Sequence, residues 1–200
     1  MTRVVNNRSS RPYRSALRDR QARETRERIL DAVVRVMARG VADLSIPAVA
    51  REGGVSVRTV YRHFANKREL LAELQPYFAR RTGMDAMPPP RSLDELHYAV
   101  RTLFTRIHDM GPVGYAALAS PIGSEARQLR MAERRRLTRE SVDAICPELT
   151  DEWRDRLARV LVILTSSGSL RMWTEHLGLT PDDASDDVAA VIRAVVGGTR

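Results

Sequence analysis

Apolar residues recur along this chain at helical spacing. Ile29, Val33, Val36 and Met37 fall at i, i+4, i+7 and i+8, and Leu30 and Val34 widen the stripe. They predict a first helix over about 22–39, stopped by Gly40, since glycine readily takes the left-handed conformation after a helix. The stretch SIPAVAREGGVSVRTVYRHFANK, residues 45–67, reads as two short helices joined by a glycine turn. Ser45 and Ser56 are suited to cap them, Pro47 is tolerable in a first turn, and Gly54 falls where the turn needs positive φ. Val49, Ala50, Val55, Val60 and Phe64 then form a compact inside, with Ala50 small enough for a crossing helix. Leu70, Leu71, Leu74 and Phe78 continue the period over 67–81 in a helix that Pro76 should bend. MDAMPPP at 84–90 marks a loop. Further helices are expected at 92–110, 112–120, 124–145, 151–177 and 183–196, punctuated by Gly111-Pro112, Cys146-Pro147 and Thr180-Pro181.

The pattern predicts an all-α chain, with an N-terminal helix-turn-helix unit over 22–68 and a helical body over 69–200. Residues 1–21 hold arginine and few large apolar groups, too little to offset the entropy of ordering, and predict a basic flexible arm. That arm suits phosphate contact or minor-groove entry. A solubilising tail is the plainer reading.

Charge sharpens this division. Residues 1–81 carry 18 Lys and Arg against 8 Asp and Glu, whereas 82–200 carry 15 against 17. A basic module beside a near-neutral one points to a nucleic-acid surface on the first. A membrane surface is disfavoured, because no segment opposes a basic face to one rich in Trp, Phe and Leu. No apolar run approaches the roughly 20 residues of a membrane span, and the N-terminus has no apolar signal core. The single Cys146 cannot form an internal disulfide, which fits a cytoplasmic location.

The second short helix carries Val57, Arg58, Thr59, Tyr61, Arg62 and His63 at its start and outer side. That chemistry suits reading of the major groove, where arginine can bond guanine at two positions. The spacing of Ala50, Gly54 and Val60 agrees. Over residues 27–71 the chain resembles the DNA-binding domain of the TetR family of bacterial transcriptional regulators. The resemblance is carried by ILDAVVRVMARG, LSIPAVAREGGVS and VRTVYRHF followed by ANKRELL, with Tyr61, His63, Phe64 and Lys67 the most diagnostic. It implies a three-helix head on an all-helical body, working as a homodimer on a palindromic double-stranded DNA operator. Carried onto this sequence, Arg58, Thr59 and Arg62 face bases, while Ser45, Ser56, Tyr61, His63 and Lys67 contact phosphates, Lys67 at a helix start where the dipole favours anions. Pro47 and Ala48 stand where the family often has polar residues. Packing against the first or fourth helix is the alternative role for Tyr61 and His63.

The body offers Leu103, Phe104, Ile107, Met110, Tyr115, Met172 and Trp173 as adaptable side chains for an effector pocket, or simply as core. LARVLVILTSSGSLRMW (157–173) and DVAAVIRAVVG (187–197) suit a dimer interface, or packing within one chain. Arg134, Arg135 and Arg136 read as a solvated face beside Glu133 and Glu140. Signatures of catalysis are absent: there is no nucleophile elbow, P-loop or dinucleotide fingerprint. The four histidines are scattered, so no metal site, cofactor or catalytic residue is expected. The expectation is a ligand-relieved repressor. A ligand-independent DNA-binding factor and a small helical enzyme are the alternatives.

Overall fold

The computed structural model describes residues 10–41 and 43–198. Helix α1 runs from Ser10 to Ala38 and ends at Gly40, whose φ is +72°. It starts well before the expected residue 22. The proposed arm is thus helical from Ser10 onward, and its residues 1–9 lie outside the described residues. The physical reason is propensity: ALRDRQARETRER is rich in alanine, arginine, glutamate and glutamine, which hold a helix without burying anything. Side chains from Ala16 to Glu24 are exposed, and burial begins in earnest at Ile29.

Helices α2 (Ile46–Glu52) and α3 (Val57–His63) follow across the Gly53-Gly54 turn. Gly54 has φ +62°, and Val55 N–H closes the turn on the Ala50 carbonyl at 2.9 Å. Gly53 permits a close approach: a Cβ there would meet the Ala32 Cβ of α1 at 3.3 Å. Val49, Ala50, Val60 and Phe64 are buried against Ile29, Val33, Val36 and Met37. The expected helix over 67–81 is interrupted rather than only bent. It forms α4 (Lys67–Ala72) and α5 (Leu74–Thr82), separated by Glu73. Pro76 has no N–H for the Ala72 carbonyl and crowds it, so α4 stops there.

After a 3₁₀ turn at Met84–Ala86 come α6 (Leu93–Asp109), α7 (Gly111–Ala119), α8 (Pro121–Leu129), α9 (Met131–Ile145), α10 (Asp151–Leu164), α11 (Ser167–Arg171), a π turn at Met172–His176, and α12 (Pro181–Gly198). The expected 124–145 helix starts earlier, capped by Ser120, and breaks at Arg130. Local propensity does not explain this break. It falls where the chain changes partners, α8 packing on α4 and α5 and α9 packing on α10. The expected 151–177 helix also breaks. Thr165 Oγ1 turns back on the Leu161 carbonyl, and Ser166, in extended backbone, caps a new helix through Ser169 N–H.

One connected core runs from Ile29 to Val196, and α1 packs against α7. The 68/69 boundary expected between head and body therefore falls inside α4, in a continuous core. Helix α12 lies along α6, tied by Arg101–Asp182, His97–Asp186 and Arg193–Asp94.

Candidate nucleic-acid interface

Helix α3 is held from three sides. Ser56 Oγ accepts the Thr59 N–H at 3.0 Å and also bonds the Thr59 hydroxyl at 2.9 Å, fixing the start. Val60 and Phe64 anchor the inner face. At the far end Arg26 of α1 stacks over Phe64 at 4.2 Å, donates to the His63 carbonyl at 2.7 Å, and pairs with Glu73 at 3.1 Å. Arg26 thereby links the end of α3 to the interruption between α4 and α5. Sequence reading missed it, since an arginine in a basic stretch carries no local signal of such a role.

The outward face that remains is made by Val57, Arg58, Tyr61 and Arg62, all exposed, with Tyr61 at 49%. Arg58, Tyr61 and Arg62 stand at i, i+3 and i+4, so they share one face. Among the described residues neither Arg58 nor Arg62 has a hydrogen bond or ion pair. By contrast Arg35 and Arg39 both bind Glu52, which lowers that carboxyl's pKa through their hydrogen bonds.

The other expected contacts are placed less uniformly. Ser56 is exposed and Thr59 is half-buried, its hydroxyl engaged with Ser56. Ser45 stands at the N-cap of α2 and is exposed, but its side chain makes no capping bond, so the cap expected there is positional only. Lys67, the first residue of α4, pairs with the exposed Asp43, which holds the Asp43 carboxyl below its usual range. A phosphate at Lys67 must compete with that carboxylate. His63 is half-buried, and its Nε2 is enclosed with no hydrogen-bond partner among the described residues. Burial, then the Arg62 and Arg26 charges, lower its pKa, so the ring is neutral near pH 7.

The candidate pocket residues do not converge. Phe104 and Ile107 are core, and Met110 packs against that core and over Gly114. Leu103 lines a cleft of about 270 Å³ bounded by the 84–90 segment, α6, α9 and α10. Tyr115 and Met172 line a separate hollow of about 250 Å³ with Arg127 and Arg171. Trp173 is half-buried, its indole N–H on Ser169 Oγ at 3.1 Å. The arginine run also departs from expectation. Arg136 binds Glu133 and Glu140 on the surface as anticipated, but Arg134 turns inward and donates to carbonyls at the end of α10. Among the described residues no three His, Cys, Asp or Glu side chains are grouped to hold a metal ion.

Residues 29–74 match the family described as bacterial regulatory proteins, tetR family. Over 52 residues the chain is 46% identical to TtgW of Pseudomonas putida, an uncharacterized HTH-type transcriptional regulator. It is equally identical, over the same length, to SrpR of Pseudomonas putida, an HTH-type transcriptional regulator. These alignments cover 26% of this chain and only 39% and 24% of the two relatives. The fold is similar to that of a crystal structure from Pseudomonas aeruginosa PAO1 assigned as a transcriptional regulator, with TM-score 0.64 and 18% identity over 86% of this chain and 90% of that one. It is also similar to NalD, the secondary repressor of the MexAB-OprM multidrug efflux pump in Pseudomonas aeruginosa, with TM-score 0.53 and 21% identity over 88% and 95% of the two chains. At these identities the structural likeness speaks for the fold.

Proposed function

We propose that this chain, whose residues 29–74 match the tetR family of bacterial regulatory proteins, is a homodimeric, sequence-specific DNA-binding transcriptional regulator, a repressor relieved by a small hydrophobic ligand. The observation that carries the proposal is the α3 face: two exposed arginines without partners among the described residues flank Tyr61 on a helix fixed at both ends. In the major groove Arg58 and Arg62 meet base edges, and Val57 offers an apolar contact to thymine methyls. Thr59, half-buried with its hydroxyl on Ser56, adds its exposed edge beside them. The Ser45, Ser56 and Tyr61 hydroxyls and Lys67 take phosphates, positioning the helix without reading sequence. His63 joins them as a neutral hydrogen-bonding group.

Apolar side chains left exposed on the last helices support the pairing. Val160 and Ile163 of α10 and Val191 of α12 face solvent, Ile163 at 66%. A second copy covering them gives a two-fold symmetric bundle, with recognition helices about 34 Å apart on a palindromic operator. The small residues 166–169 sit at a helix break, so the proposed interface centres on α10 and α12. The clefts in the body favour ligand response over a ligand-independent factor. Among the described residues no helix is long and apolar enough to cross a membrane, and the proposal places the protein in the cytoplasm beside its DNA.

The test is a mobility shift on the DNA upstream of its own coding sequence. Tyr61→Ala and Arg62→Ala are expected to lose the complex while the dimer persists in gel filtration. Unchanged affinity in both variants removes α3 as the reading helix.

A further inference from the structure

The cleft between α6, α9 and α10 pairs an apolar wall with a cation, Arg134, that no carboxylate among the described residues meets. Met84, Met87, Leu96, Leu103, Leu137 and Leu161 supply most of the apolar lining. The hydroxyls of Thr138 and Ser141 in the same wall are spent on the carbonyls of Arg134 and Leu137. Arg134 remains. Its Nη2 donates to the Val162 carbonyl at 3.1 Å, the Thr165 carbonyl at 2.9 Å and Thr165 Oγ1 at 3.1 Å. Its Nε and Nη1 have no protein partner among the described residues.

A simpler role for Arg134 is to cap α10, where a cation suits the helix C-terminus. That role accounts for Nη2 alone. It leaves a half-buried guanidinium with neutral acceptors on one nitrogen, while the other two meet no protein partner among the described residues and stay open to solvent. Such a group is costly unless paired. The surroundings add to this, because both Arg134 and Arg127 are held below the usual arginine range by burial, and Arg127 further disfavours the charge on Arg134. Two partly desolvated cations, each with neutral oxygen partners only, make a positive field beside an apolar cleft.

We propose that this cleft binds a monocarboxylic acid with an apolar body, its carboxylate on the Arg134 guanidinium and its apolar part against Leu96, Leu103 and Leu161. The inference rests on the regulator reading, for which such an acid is the relieving ligand. A carboxylate offers Arg134 the charge-assisted hydrogen bonds that its present partners lack. An alcohol of the same size offers only neutral ones.

The test titrates the full chain calorimetrically with octanoate, phenylbutyrate, octanol and octylamine. At least one of the two acids should bind about tenfold or more tighter than octanol, the range expected of a hydrogen bond to a charged group, and octylamine should not bind. Arg134→Gln should bring acid affinity down to that of octanol, and Arg134→Lys should restore part of the preference. Circular dichroism establishes that each variant is folded. The wild-type comparison of acid with alcohol stands even if Arg134→Gln fails to fold. Equal binding of acid and alcohol overturns the proposal, as does binding of neither acid, or a folded Arg134→Gln that keeps the preference. A parallel mobility shift separates this failure from that of the regulator reading. An operator complex that octanol releases as well as octanoate leaves the regulator standing and removes the acid. Acid-selective binding without any operator complex does the reverse.

Discussion

The body and helix α3 use the same side chain in opposite ways. Every basic residue but Lys67 is arginine, so the type of charge carries no information. Pairing does. In the body Arg101, Arg136, Arg139, Arg156, Arg171 and Arg193 all meet carboxylates, tying α6 to α12, α9 to α10, or one turn of a helix to the next. At exposed sites such pairs contribute little stability, typically under about 1 kcal/mol, but each withdraws a guanidinium from recognition. On α3 no group among the described residues withdraws Arg58 or Arg62. Single unpaired arginines occur on other surfaces. What distinguishes α3 is that two of them share a face with an exposed tyrosine, on a helix locked by Ser56 at its start and Arg26 at its end.

Damaging how α3 is held should therefore cost more than damaging any one contact. Phe64→Ala removes the ring buried beneath Arg26. The expected loss is about 3–5 kcal/mol in urea unfolding, the range for a large buried side chain, together with loss of the operator complex. Phe104→Ala in the body core should cost a similar amount of stability. Its folded fraction should still bind operator normally. Equal loss of operator affinity in both variants would break the comparison.

Next in size is a matched pair of arginines. Arg62→Ala should weaken operator binding by about 1–3 kcal/mol, the range of one good bidentate base contact, with no change in unfolding midpoint at about pH 8, above the histidine range. Arg136→Ala deletes an exposed arginine engaged with Glu133 and Glu140. It should shift unfolding by less than about 1 kcal/mol and leave operator affinity untouched. Fluorescence anisotropy at one fixed salt concentration reads both, since phosphate contacts vary steeply with salt.

The contrast also explains what was legible in the sequence. In the head, periodicity, the Gly54 turn, the Ser56 cap and the exposure of Val57, Arg58, Tyr61 and Arg62 are encoded within a few residues of one another and stand where the pattern put them, whereas Thr59 and His63, expected on the outer side, are half-buried. Failures of the reading are longer in range. The break at Arg130 is set by which helices α8 and α9 pack upon, and the inward turn of Arg134 by the end of α10, about thirty residues away. Neither has a local signature. The early start of α1 erred the other way, because propensity alone sustained a helix where burial had been the guide.

A smaller test compares two serines at helix starts. Ser56→Ala removes a capping bond and should cost about 0.5–2 kcal/mol of stability, whereas Ser45→Ala removes no such bond and should cost little. Both should weaken operator binding if both hydroxyls take phosphates. Differential unfolding by urea, set beside anisotropy, distinguishes the cap from the contact. A Ser45→Ala variant with unaltered operator affinity would strike Ser45 from the interface.

The smallest effect expected is a dependence on pH, and its sign follows from His63. Burial, with Arg62 and Arg26 behind it, places the folded pKa of this ring below its ordinary 6.5. In the window between the two values the unfolded chain binds a proton that the folded chain refuses. Stability contributed here is therefore complete above 6.5 and declines as pH falls toward the folded value. His63→Asn should flatten the urea midpoint against pH across the histidine range, about pH 5 to 7. Arg62→Ala should flatten it in part, because one of the repelling charges is gone. This links the two halves of the proposed site: the unpaired arginine assigned to DNA adds to burial in keeping the neighbouring histidine neutral, so the ring would face a phosphate as a hydrogen-bonding group. A phosphate brought close would reverse the field and favour the proton. Operator binding should then take up protons below about pH 7, measured as a buffer-dependent enthalpy in calorimetry that vanishes in His63→Asn. An enthalpy independent of buffer in the wild type would place His63 outside the interface and return it to packing.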